Sequence, residues 1–191
     1  MPKHEELIAQ FVASFEKLDH LAVFAGVYPI AKQLVVGEPD ELGYTHWQPA
    51  RVTAEPALLE PIYAKLPARF PPLFEQLVLS YRWAEVDLGS FRLLPNPPGA
   101  DLSGLLDEMS RDPAIWKALL PAGLMQFGKG PDMNYDPVCF DIKSRKKNRE
   151  FKIVRIDHEE ILCNDRVKVV EEVAPTFRDL VLRTIASAKH A

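Results

Sequence analysis

Apolar residues recur at three- and four-residue intervals across residues 5–18, at Leu7, Ile8, Phe11, Val12, Phe15 and Leu18. That spacing puts them on one face of a helix and predicts a docked amphipathic segment. The stretch that follows, to about Thr53, joins apolar runs at residues 21–28 and 34–36 to a turn at Gly37-Glu38-Pro39-Asp40, and its pattern fits helix and strand equally. A helical stripe returns at Leu58, Leu59, Ile62, Tyr63 and Leu66, stopping before Pro67 because proline biases its predecessor away from helix. Pro71-Pro72 predicts a new helix start, since a proline in the first turn forfeits no hydrogen bond, with Leu73, Phe74, Leu77, Val78 and Tyr81 facing inward. Residues 91–94 read as a short strand closed by Pro95-Asn96-Pro97-Pro98-Gly99, residues 102–109 as a short helix, and Pro113 as the start of another carrying Ile115, Trp116 and Leu119.

Beyond Pro121 the texture turns strand-like, in pieces at residues 124–127, 138–142, 151–156 and 167–170 separated by Gly, Pro, Asp and Asn. Short connections between successive strands imply antiparallel pairing, so 138–142 and 151–156 should pair that way with Cys139 inside a strand. Thr176 is the expected cap of a last helix, with Asp179 at its third position and Phe177, Leu180, Val181 and Ile185 on one face. Helices, then a meander, then a closing helix specify an α+β fold. The expectation is a twisted, mainly antiparallel sheet of about four to six strands with helices packed against it. It divides into an N-terminal helical extension, residues 1–53, packed on an α+β domain, residues 54–191.

With 191 residues, 47% hydrophobic and 26% charged, the chain can bury one good core. Its polar start, and a longest apolar run at residues 21–31 interrupted by Gly26 and Pro29, predict neither a secretory leader nor a membrane helix. Cys139 and Cys163 stand singly with no CxxC spacing, which fits buried free thiols in a reducing, cytoplasmic compartment. A net charge of −4 disfavours nucleic acid and anionic membrane, both of which need concentrated basic surface, and suits a basic protein partner.

Each candidate catalytic or metal motif is incomplete. His158-Glu159-Glu160 and His4-Glu5-Glu6 begin like a zinc-protease helix, but Leu162 and Ile8 stand where the second histidine belongs; a polar turn after the strand is the better reading at His158. The alternate oxygens from Asp132 to Asp136 resemble a calcium loop, yet Pro137 and Lys143 replace the required glycine and glutamate. Gly128-Lys129-Gly130 lacks the rest of a phosphate loop, and Ser90 follows Leu88-Gly89 rather than the glycine pattern of a nucleophile elbow. The basic run Lys143, Arg145, Lys146, Lys147, Arg149 and Lys152 reads as a charged hairpin tip with no aromatic platform for bases. Trp83, Glu85 and Asp87 alternate with Ala84, Val86 and Leu88, placing an indole and two carboxylates on one strand face, either as a partner surface or as a buried sheet edge. No metal or cofactor is expected.

Several pieces together look like the SUKH superfamily: Leu66-Pro67 before an amphipathic helix, Phe91 to Pro95, and Leu120-Pro121 before the strand that ends near Gly128. The sharpest are Asp136-Pro137-Val138-Cys139-Phe140-Asp141, then Ile153-Val154-Arg155-Ile156-Asp157-His158-Glu159, and the terminal Thr176-Phe177-Arg178-Asp179-Leu180. The resemblance covers roughly residues 54–188 and implies a twisted sheet acting by protein binding, as in bacterial toxin-immunity proteins and fungal cell-wall regulators, with no catalytic residues. The expected function is therefore a non-catalytic protein-binding module, a monomer or weak homodimer, that neutralises a toxin. Its partner surface is expected at the loop carrying Asp132, Asn134 and Tyr135 together with Trp83, Glu85 and Asp87, which combine aromatics with carboxylates. The alternatives are an enzyme using Asp141, Asp157 and His158 at adjacent strand ends, and a regulatory scaffold.

Overall fold

The computed structural model describes residues 4–24, 30–131 and 134–190. The first apolar stripe folds as α1 (His4–Ala13), with Leu7, Ile8, Phe11 and Val12 buried, and a separate turn α2 (Phe15–Leu18). One helix becomes two at Ser14, whose hydroxyl donates to the Phe11 carbonyl at 2.6 Å and competes with the helical ladder. The ambiguous stretch resolves as strand: β1 (Ala22–Phe24) pairs antiparallel with β2 (Tyr44–His46). The extension is thus not helical throughout. β3 (Ala50–Arg51) then joins β4 (Tyr81–Arg82), with α3 (Glu60–Tyr63) and α4 (Pro72–Ser80) between them.

The main sheet takes β5 (Val86–Asp87) and β6 (Arg92–Leu93), then, past α5 (Ser103–Met109) and α6 (Pro113–Ala122), β7 (Leu124–Lys129), β8 (Pro137–Asp141) and β9 (Lys152–Ile156). After α7 (His158–Asn164), β10 (Val169–Ala174) completes it and α8 (Phe177–Ser187) closes the chain. The six strands run in the order β10-β9-β8-β7-β6-β5, every neighbouring pair antiparallel. The fold is α+β, and β8 and β9 pair as the sequence predicts. The helix caps follow local chemistry: Asp112 accepts from Ala114 and Ile115 at the head of α6, and the Thr176 hydroxyl accepts from Asp179 N–H at 3.1 Å at the head of α8.

Strand alternation sends Met125, Phe127, Val138, Phe140 and Ile153 to one sheet face and Leu124, Cys139, Val154 and Ile156 to the other. The first face packs with buried residues of α1, α4 and α8, the second with those of α6 and α7. Phe74 sits at the centre of the larger core, with ring centroids 5.3 Å from Phe140 and from Phe177 and 5.6 Å from Phe127. Phe11, Phe15, Leu21, Leu34 and Trp47 of the extension are buried in that same core. Cys139 is a buried free thiol in β8; Cys163, expected to be buried, is exposed on α7. The reason is helical spacing, since α7 is short and only its Ile161 is buried. No helix among the described residues is long and apolar enough to cross a membrane.

Candidate functional site

The hairpin of β5 and β6 turns at Gly89, whose φ of 77° lies in the left-handed region that glycine occupies freely. At its open end Trp83 and Asn96 exchange both backbone hydrogen bonds at 3.0 Å. Of the two readings of the indole, partner surface or buried sheet edge, burial is the one seen. Trp83 is 0% exposed, and its Nε1–H donates to the Leu94 carbonyl at 2.9 Å. Trp83 belongs to the same core as Leu34 and Trp47 of the extension and lines one cleft with them.

Glu85 and Asp87 stay half-buried on the same cleft. Glu85 bridges two cations, Arg92 at 3.2 Å and Lys129 at 2.6 Å. Arg92 is nearly buried and spends the rest of its guanidinium on loop carbonyls, Nε on Gly130 at 3.1 Å and Nη2 on Asn134 at 2.6 Å, with the Tyr135 ring 5.6 Å away. That fork ties the 83–87 segment to the 134–135 loop, so the two segments expected to share a surface are neighbours. Arg92, read from the sequence only as part of a strand, is what joins them; its signal was a lone basic residue between Phe91 and Leu93. Asn134 turns inward, its Oδ1 accepting from Asp136 N–H at 2.6 Å, while Tyr135 is 53% exposed. Asp132 lies outside the described residues.

The cleft itself holds about 360 Å³. The buried Leu34, Trp47 and Trp83 are the deepest of its lining residues, joined by Ala22 and Val23 of β1 and by Pro95 and Pro97. At its mouth Asp19 accepts from Leu21 N–H at 3.3 Å and from Asp87 N–H at 2.9 Å. Leu21 is held in the left-handed region, φ 45°, by that contact and by the bond from Trp47 N–H to its carbonyl at 2.9 Å.

At the end of the β1–β2 pair, Phe24 (50% exposed) and Tyr44 (40%) meet edge to face at 5.5 Å between centroids, and Val36 and Leu42 are also exposed. Asp40 fixes the turn before β2 by accepting from Leu42 and Tyr44 N–H groups at 2.9 Å, and the Tyr44 bond is the main cause of its carboxyl being held below its ordinary range. Sequence reading missed this aromatic pair; its only signal was an aromatic residue on either side of the Gly37–Gly43 turn region.

The acid–base triad of the enzyme alternative does not assemble. Asp141 pairs with Lys152 at the far end of β9, roughly 17 Å of strand from Asp157. Both are caps: Asp141 accepts from Lys143 N–H at 3.0 Å, and Asp157 accepts from Glu160 N–H at 3.1 Å, which lowers its pKa. His158 starts helix α7 rather than a polar turn. Its Nδ1 lies 2.7 Å from Asp136 Oδ1, an oxygen that also accepts its backbone N–H at 3.0 Å. Asp136 thus staples the start of β8 to the start of α7, and His158 does not line the cleft. Among the described residues no group of three or more His, Cys, Asp or Glu is placed to hold a metal. The basic run is partly spent: Arg149 pairs with Glu75 at 2.9 Å and Lys146 donates to the Pro175 carbonyl at 3.1 Å. Compared with known proteins, the chain matches no family model and no curated protein.

Proposed function

We propose that this chain is a non-catalytic module that binds another protein, and that its partner is a bacterial toxin domain, the role implied by its resemblance to SUKH domains. The observation that carries the reading is the exposed Phe24–Tyr44 pair with Val36 and Leu42, a concentration of aromatic and aliphatic surface beside a cleft rimmed by carboxylates. Aromatic anchors beside complementary charge are what protein interfaces use for affinity and steering. Glu38, Asp40 and Glu41 flank the same turn, so the face suits a basic partner.

Co-expression with toxin domains encoded beside its gene tests the reading. The chain should restore growth and co-elute stoichiometrically with one of them, and Phe24→Ala with Tyr44→Ala should lose both effects, each change weakening binding by about 2 kcal/mol, while the melting point holds. Growth that stays arrested in every pairing, with no co-eluting protein, defeats it. One contact favours a second reading, acid–base catalysis by His158 oriented through Asp136. Against it stands the use of the same carboxylate oxygen as a backbone cap.

A further inference from the structure

The charges lining the cleft are unevenly answered. Glu85 is neutralised by Arg92 and Lys129, and Glu108 by Arg111. Asp19 and Asp87 are different: among the described residues they accept only backbone N–H groups, Asp19 from Leu21 and Asp87, Asp87 from Gly89 at 2.8 Å. The two residues are tied together, since the backbone N–H of Asp87 donates to an Asp19 carboxylate oxygen at 2.9 Å, and both line the cleft. Apart from these two residues and the paired charges, the cleft lining is apolar or aromatic, and at about 360 Å³ the cleft lies at the small end of the ligand-site range, room for one side chain rather than a helix or strand. Carboxylates with no cation, set in a concave and partly desolvated site, attract positive charge more strongly than the same groups on open surface.

We propose that the cleft receives one organic cation on an apolar stem, an arginine or lysine side chain of the partner protein, with its head at Asp19 and Asp87 and its stem against Ala22, Val23, Ile30 and Pro97. Such side chains bury an aliphatic stem while keeping a charged tip satisfied, which is the division of polarity this cleft presents. Continuity with the aromatic face assigns the cation to a partner rather than to a free metabolite. β1 lines the cleft with Ala22 and Val23 and its next residue, Phe24, is exposed, so a protein lying on Phe24 and Tyr44 is one residue away from the cleft lining. This assignment rests on the protein-binding reading above and names the chemistry of the contact.

The test uses the isolated protein and no partner, so its failure is distinguishable from failure of that reading. N-acetyl-arginine amide is titrated into ¹⁵N-labelled protein, with N-acetyl-citrulline amide as the neutral isostere. The Trp47 and Trp83 indole resonances report on the cleft, and Trp116, on α6, is the internal control. Saturable shifts of the first two but not the third are expected for the arginine probe. Binding should weaken by about tenfold or more with citrulline and in Asp87→Asn, which keeps the acceptor for Gly89 N–H, and should weaken as salt is raised. Equal binding of citrulline, undiminished binding to Asp87→Asn with an unchanged melting point, or no saturable shift overturns the proposal.

Discussion

Two cysteines that look alike in the sequence differ in chemistry because one faces a core and the other faces water. Burial pushes the Cys139 thiol well above its ordinary pKa, and only the thiolate reacts. Ellman's reagent on native protein should therefore titrate one thiol, Cys163, and reach the second only after unfolding; two fast thiols would mean that β8 is open. Glu150 shows a second effect of burial. Desolvation raises its pKa, its Oε2 has no hydrogen-bond partner, and the backbone N–H of Phe177 only partly offsets the cost. A carboxyl whose folded pKa is raised contributes stability that is present below its unfolded pKa and lost as pH rises through the folded value. Glu150→Gln should accordingly raise the melting temperature at neutral pH by a small margin, about 2 °C in a chain this size, with the gap closing near pH 4. Trp83 is the residue on which sequence reasoning divided. Fully buried with its N–H satisfied, it predicts that Trp83→Ala costs about 3 kcal/mol or more of folding stability, and any loss of binding should track unfolding in parallel melts.

The elements that were legible in the sequence are those whose signal is local. The stripe of α4, the proline at its first turn, the Thr176–Asp179 cap of α8 and the antiparallel run of β7, β8 and β9 each depend on neighbours a few residues away, and each forms. What was not legible depends on distant partners. Alternation marks Trp83, Glu85 and Asp87 as one face but cannot say that Trp83 will share a core with Leu34 and Trp47. Nor can it show that Arg92 will bridge to the Gly130 and Asn134 carbonyls and so bring two predicted segments together. The helix at His158 was missed because its cap, Asp157, follows β9 while its staple, Asp136, precedes β8, and each reads singly as a turn residue. Caps also give a test at this scale: Thr176→Ala removes the acceptor for Asp179 N–H and should cost about 1 kcal/mol, measured as a lower denaturant midpoint with unchanged slope.

At the scale of the whole molecule the first residues decide whether there is a site at all. The resemblance that begins near residue 54 invites the view of an independent domain with an appendage. Burial argues otherwise, because Phe11 and Phe15 are fully buried in the same core as Phe74 and Phe177, with Phe11 edge-on to Phe177 at 6.2 Å. α1 packs against both α4 and α8, the helices that cover one face of the sheet. A chain beginning at Ala54 would uncover the surfaces of α4 and α8 against which α1 packs, and would also lose Leu34 and Trp47 from the core they share with Trp83 and the β1–β2 pair that lines the cleft. Each large apolar side chain uncovered in this way costs about 1.5 to 3 kcal/mol, so uncovering several is comparable to the whole margin of an ordinary domain. The truncated chain should therefore keep far-ultraviolet helix and strand signal while losing near-ultraviolet dichroism and binding ANS, and it should bind neither partner nor cation. Cooperative unfolding of that fragment with a melting point near that of the full chain would show instead that the extension is dispensable to the core, and would leave the cleft as a feature added onto an autonomous fold.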